Sequence, residues 1–193
     1  MENKMDLKNF EEKTLNRKKI FKGQIIEVVH DEVALPNGLG QAKRELVFHP
    51  GGVAILAITP EDKVILINQY RKPMEKILLE IPAGKLEVGE RAHLKEAALR
   101  ELEEETGYFA QSIELISEVY TSPGFADELL HIFFAKDLVK QANPRPQDED
   151  EVIVKQELTF EEAQSKLKNG EIEDAKTVIA LLYWENKRLK GEM

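Results

Sequence analysis

Gly84–Tyr108 reads GKLEVGERAHLKEAALRELEEETGY, and its second half decides what kind of protein this is. From Leu94 to Thr106 the composition turns to Ala, Leu, Glu, Lys and Arg, which are strong helix formers, and Gly107 stands where a helix would stop. That predicts a helix over 94–106. Projected at roughly 100° per residue with Glu101 at zero, Glu105 falls at about 40° and Glu104 at about 300°. Leu94, Ala98 and Leu102 fall at about 20°, 60° and 100°, so the apolar stripe runs into the face that holds Glu101 and Glu105. Glu96 and Glu103 point the other way.

An acidic run is ordinarily a solvated helix face, which accounts for Glu96 and Glu103. It does not account for Glu101 and Glu105, one turn apart on the buried side. Clustered carboxylates that leave water are costly unless paired. Arg100 lies four residues before Glu104 and can orient it, but nothing comparable in the helix neutralises Glu101 and Glu105. Raised pKa values, an arginine partner or a metal would each relieve the conflict, and a metal is the preferred reading. Hard oxygen ligands with no Cys or paired His nearby favour Mg²⁺ or Mn²⁺ over Zn²⁺.

The rest of the chain narrows the setting. Its 193 residues suffice for one domain, or a domain with an appendage, with a real core. Lys and Arg number 27 and Asp and Glu 36, a net charge of −9. An acidic chain without a basic stretch is a poor partner for nucleic acid. Cysteine is absent, which excludes disulfides, thiolate metal sites and a cysteine nucleophile and fits the cytoplasm. The charged start, MENKMDLKNFEEK, is no signal peptide, and apolar runs such as Val53–Ile58 are strand-sized, so no membrane association is expected.

Before the helix, strand-like runs alternate with turns. Gly23–Leu35 and Gln41–Phe48 flank PNGLG, a hairpin signal. Val53–Ile58 and Lys63–Tyr70 flank TPED, and Ile77–Pro82 is a further candidate strand. Beyond the helix, strands are expected at Ser112–Tyr120, Leu129–Ala135 and near Val152–Leu158. Helices are expected at Phe160–Lys168 and roughly Asp174–Leu189. This order predicts an α+β fold, a mixed sheet with helices against it. Residues 1–48 are expected to form an N-terminal antiparallel β-subdomain, and 49–193 the main domain. His30, His49, His93 and His131 lack ligand spacing and read as structural. Tyr183 and Trp184 read as core.

AGKLEVGE followed by RELEEETGY resembles the Nudix motif, G-x5-E-x7-R-E-U-x-E-E-x-G-U with U apolar. Gly84 and Glu90 have its spacing, and Arg100, Glu101, Leu102, Glu104, Glu105, Gly107 and Tyr108 match its second half, Tyr standing in for the apolar residue. Nine residues rather than seven separate Glu90 from Arg100. Two residues inside the helix would rotate its halves by about 200°, so the insertion is placed in the loop at Arg91–Leu94, with the role of Glu90 left open.

The resemblance implies the Nudix α/β/α sandwich and hydrolysis of a nucleoside diphosphate linked to another group. It implies Glu101, Glu104, Glu105 and the carbonyl of Ala83 as ligands of Mg²⁺ or Mn²⁺, and Arg100 in the catalytic set. Pro123 in SPGFADE resembles the downstream proline of the ADP-ribose pyrophosphatases. With Pro123 go Gly124 and Phe125 as substrate-binding positions. QYRKP and LEIPAGKLE resemble the same subfamily, in which the residues at Arg71 and Glu80 contact substrate. The polar loop PRPQDEDEV holds two candidates for the general base, Glu149 and Glu151, and Glu149 is preferred. The expected reaction is Mg²⁺-dependent cleavage of ADP-ribose to AMP and ribose 5-phosphate. A nucleotide sugar such as GDP-mannose is the alternative, because GEIEDAKTVIALLY and the acidic loop also resemble the enzymes that cleave it. A catalytically inactive nucleotide-sensing module is a third reading, set against the retention of all the motif carboxylates. The resembling enzymes are usually homodimers with exchanged N-terminal strands, so a homodimer is expected.

Overall fold

The computed structural model describes residues 6–147 and 151–192. In chain order its strands are β1 (Lys13–Lys22), β2 (Glu27–Ala34), β3 (Gln41–Phe48), β4 (Gly52–Ala57), β5 (Lys63–Arg71), β6 (Lys76–Glu80), β7 (Ala83–Lys85), β8 (Tyr108–Tyr120), β9 (Leu129–Lys140) and β10 (Ile153–Thr159). The helices are α1 (Leu94–Thr106), between β7 and β8, and α2 (Phe160–Lys168) and α3 (Ala175–Leu189), after β10. The chain divides into two compact units: Met1–Pro50 with Tyr120–Leu129, and Gly51–Val119 with Leu130–Met193.

The first unit contains the antiparallel sheet β1-β2-β3. β2 buries Val29, Asp31 and Val33 in alternation, whereas all ten residues of β1 are exposed. Asp31 is held by Arg17 through bonds of 2.8 and 2.7 Å and by the Thr14 hydroxyl at 3.1 Å. Strand β1 was absent from the expected elements, because KTLNRKKIFK has no one-sided apolar pattern and owes its strand form to pairing with β2.

The second unit contains the sheets β7-β4-β9-β8 and β10-β5-β6. The central β4 pairs antiparallel with β7 and parallel with β9, so the larger sheet is mixed. All six residues of β4 are buried, the mark of a strand covered on both faces. Val53, Ile55 and Ala57 face a core completed by Ala97, Ala98 and Leu102 of α1. Ala54 and Leu56 face a second core that takes Ala163 of α2 and Ala180, Leu181 and Trp184 of α3. Period-two alternation thus sends one strand into both cores, which makes this unit an α/β/α sandwich. Trp184 is fully buried, edge-on to Phe160. His131 is buried between the Gly52 carbonyl at 3.2 Å and Glu118 at 3.2 Å, a structural role as expected.

Candidate active site

Helix α1 starts at Leu94 and ends at Thr106, as the composition predicts. Gly107 takes the left-handed conformation at φ 75°, and its amide caps the Glu103 carbonyl at 2.8 Å, a conformation that glycine adopts without strain. The two extra residues are absorbed ahead of the helix. Gly89 is left-handed at φ 94°, and Glu90–Ala92 forms a single 3₁₀ turn before His93. This turn settles the position of Glu90. Its carboxylate accepts from Arg100 Nε and Nη2, both at 3.0 Å, and from the Glu87 amide at 2.8 Å.

Arg100 is therefore the hub of the helix face. Its Nη1 also contacts Glu104 at 2.8 Å and Glu101 at 2.9 Å. The contact with Glu101 corrects the expectation that no helix residue neutralises that carboxylate. Burial disfavours the guanidinium charge, but Glu90, Glu101 and Glu104 outweigh it and raise the Arg100 pKa. Glu103 is less solvated than its helix angle suggests, because the loop residue Arg145 contacts it at 3.3 Å through Nε.

Glu101 and Glu105 are buried, at 9% and 4% exposure. Burial, with the neighbouring carboxylates Glu104 and Glu151, pushes the Glu101 carboxyl up to about 7 against the pull of Arg100. Burial pushes Glu105 further, to about 9, with Glu101 and Glu151 adding to it and the Ala83 amide opposing. That amide donates to Glu105 Oε2 at 2.9 Å, while Glu105 Oε1 is buried without a hydrogen-bond partner among the described residues. Gly84 explains itself sterically. A Cβ there would overlap the Glu101 carboxylate, so glycine lets β7 pass this close to the Glu101 side chain as it stands.

These features fit a hard divalent cation: an all-oxygen donor set, two buried carboxyls with raised pKa values, and an orphaned carboxyl oxygen. Among the described residues no three carboxylates or imidazoles stand gathered as a finished ligand set. Arg100 contacts one oxygen each of Glu104 and Glu101, so neither carboxylate has to leave it to offer its other oxygen to a cation.

The other expected site residues fall into three groups. Arg71 and Glu80 come together across β5 and β6, joined by two bonds of 2.7 Å, with Glu80 only 1% exposed. Glu151 accepts from Gln69 Nε2 at 3.2 Å, and its charge reaches both Glu101 and Glu105. Glu149 lies outside the described residues. Pro123, Gly124 and Phe125 sit on a tight turn of the first unit, where the Phe125 and Ala126 amides reach the Ser122 carbonyl at 3.1 and 2.9 Å. Sequence reasoning missed Gln69 and Lys176. Gln69 is buried at 8% exposure in a strand of apolar neighbours, and a buried polar residue in such a run is the signal that could have found it.

The NUDIX domain profile matches residues 48–181. Over 181 residues the chain is 48% identical to the ADP-ribose pyrophosphatase of Bacillus subtilis (strain 168), covering 94% of this chain and 96% of that protein. Over 176 residues it is 51% identical to the methanol dehydrogenase activator of Bacillus methanolicus, covering 91% and 94%. A solved structure described as an ADP compounds hydrolase superposes with a TM-score of 0.80 at 23% identity, covering 95% of this chain and 97% of that one. That last likeness concerns the fold alone. With the motif carboxylates gathered on α1 and the profile spanning most of the chain, this protein belongs to the Nudix family and is a Nudix hydrolase.

Proposed function

We propose that the chain cleaves the pyrophosphate bond of ADP-ribose with Mg²⁺, or Mn²⁺ in its place, yielding AMP and ribose 5-phosphate. The observation that carries this reading is the buried pair Glu101–Glu105, with its raised pKa values and the orphaned Oε1 of Glu105. Glu101, Glu105, the Ala83 carbonyl and the oxygen of Glu104 that Arg100 does not contact would hold the cation. When bound, a divalent cation neutralises charge on the phosphoryl oxygens and lowers the pKa of the attacking water.

The chain's own residues do the rest. Glu151, supported by Gln69, takes a proton from the attacking water as its oxygen bonds to phosphorus. The anhydride P–O bond breaks, and the bridging oxygen departs with the leaving phosphate. Arg100 holds the carboxylates in register through Glu90. Arg71 is one-third exposed and supplies a cationic contact for the diphosphate. Pro123, Gly124 and Phe125 enter the proposal on the resemblance alone. Glu149 is the other candidate base.

ADP-ribose is preferred because one of the relatives that match almost end to end carries that name. The second reading, a nucleotide sugar such as GDP-mannose, is favoured by the C-terminal GEIEDAKTVIALLY. A product assay on a panel of nucleoside diphosphate compounds with Mg²⁺ tests both. Faster turnover of GDP-mannose than of ADP-ribose overturns the first reading, and hydrolysis of no compound on the panel would favour the nucleotide-sensing module.

The protein is further proposed to be a homodimer, with residues 1–48 at its interface. Strand β1 supports this: it is an edge strand exposed along its length, with Leu15, Ile20 and Phe21 each more than half exposed. Unpaired strand edges carrying apolar side chains invite pairing with another chain. Among the described residues no helix is long and apolar enough to cross a membrane. A cytoplasmic location is part of the proposal.

A further inference from the structure

Glu80 is nearly inaccessible, and both its oxygens are occupied. Arg71 donates to Oε1 through Nε and to Oε2 through Nη2, and the Lys176 ammonium pairs with Oε2 as well. Lys176 is itself buried to 11% side-chain exposure and touches Asp174 at 3.0 Å. Asp174 is the N-cap of α3 and accepts from the Thr177 amide at 3.0 Å and the Thr177 hydroxyl at 2.6 Å. That hydroxyl accepts from the Ile81 amide at 2.8 Å, two residues before Ala83. One network from α3 thus fixes Glu80, Arg71 and the strand leading to the carboxylate pair.

Charge makes the arrangement more than scaffolding. A bidentate carboxylate alone would cancel the charge of Arg71. Lys176 adds a second cation, and the charge of Asp174, its other partner, is met as well by the N-terminus of α3 and the Thr177 amide. Burial pushes the Glu80 carboxyl up, but Arg71 and Lys176 outweigh it and keep it ionised. Arg71 is left with Nη1 unpartnered among the described residues, and it lies within the field of Glu105.

We propose that Lys176 is the counter-ion of Glu80, so that Glu80 orients Arg71 without neutralising it and Arg71 stays a cationic anchor for the substrate's diphosphate. Lys176 and Glu80 are then positioning residues that act through Arg71. The proposal rests on the reading of this site as one for a nucleoside diphosphate.

The test measures binding of α,β-methylene ADP-ribose and of inorganic pyrophosphate by calorimetry at fixed Mg²⁺, with steady-state kinetics alongside. K176M should weaken both ligands and raise KM about tenfold, the loss of one charge-assisted contact, with kcat little changed. K176R should restore binding, which a purely structural role would not require. If K176M does not fold, the Glu80→Gln background decides, because the double variant removes both members of the Glu80–Lys176 pair. There E80Q/K176M should bind within about twofold of E80Q, the additivity expected when the partner is gone. Unchanged binding in K176M, or an equal loss from K176M in both backgrounds, overturns the proposal. If pyrophosphate follows the pattern and the ADP-ribose analogue binds no variant, only the substrate reading fails. If the parent protein binds neither probe, both fail.

Discussion

The Ala83 amide holds one oxygen of Glu105 at 2.9 Å, and the other oxygen is buried with no partner among the described residues. One carboxyl is thus fixed by backbone on one side and unsatisfied on the other. Glu105→Gln keeps its shape and removes the charge a cation would neutralise. It should lower kcat by at least about 100-fold, the upper range for disturbing a metal site. In EDTA the same variant should be no less stable than the parent, since a buried carboxyl with a costly charge is gone. Added Mg²⁺ should raise the Tm of the parent and not of the variant. A Mg²⁺-induced rise in the variant would remove Glu105 from the ligand set.

The raised carboxyls set a pH dependence whose sign is opposite to that of an ordinary salt-bridged acid. Glu101 and Glu105 go from an ordinary 4.5 to about 7 and about 9. Between these values the folded chain holds protons that the unfolded chain has lost, so metal-free stability falls as pH rises through that window. In EDTA, Tm should decline from pH 5 to pH 9 more steeply in the parent than in Glu105→Gln. Mg²⁺ should flatten the decline and release protons on binding, seen as buffer-dependent calorimetric heats. A metal-free Tm that is flat or rising across this range would contradict the burial of the pair.

Gly84 sits where a Cβ would overlap the Glu101 carboxylate. Gly84→Ala must displace Glu101 or the β7 backbone, at a cost of about 1–3 kcal/mol for overpacking. Activity should fall far more than that modest destabilisation would explain, and the Mg²⁺ needed for half-maximal rate should rise. Unchanged Mg²⁺ dependence would mean that Glu101 does not serve the cation from its present position.

How much of this was readable in advance depended on how local the cause was. The limits of α1, the burial of Glu101 and Glu105, and the Arg100–Glu104 pair all follow from residues within one helix, where periodicity speaks directly. Glu90 was ambiguous because spacing alone cannot say where an insertion is absorbed, and the turn at Glu90–Ala92 decides it. Strand β1 was invisible because it buries nothing. Gln69 with Glu151, and Arg71 with Glu80 and Lys176, join distant positions through strand register and the docking of α3, which no single window contains.

Glu151 and Glu149 compete for the role of base, and the sequence favoured Glu149. Glu151 has the geometric support: a bond from Gln69 and a charge felt by both buried carboxylates. Glu151→Gln should lower kcat by about 10²–10⁴-fold with KM little moved, the range for loss of a general base. Glu149→Gln should cost far less, and Gln69→Leu should fall between the two by removing one bond that positions Glu151. If Glu149→Gln proves the more damaging of the two, the base assignment reverses.

The exposed edge of β1 makes the last prediction. Phe21 and Ile20 are each more than half exposed on an edge strand, an arrangement that a partner chain would cover. Light scattering at micromolar concentration should give twice the chain mass of 22.0 kDa. Lysine at Ile20 and Phe21 should shift that population to monomer, because charge on an edge strand opposes pairing. The folded content of each chain should be kept, since neither side chain is buried within its own chain. A parent protein already monomeric under these conditions would exclude the dimer, and a double variant that still dimerises would move the interface away from β1.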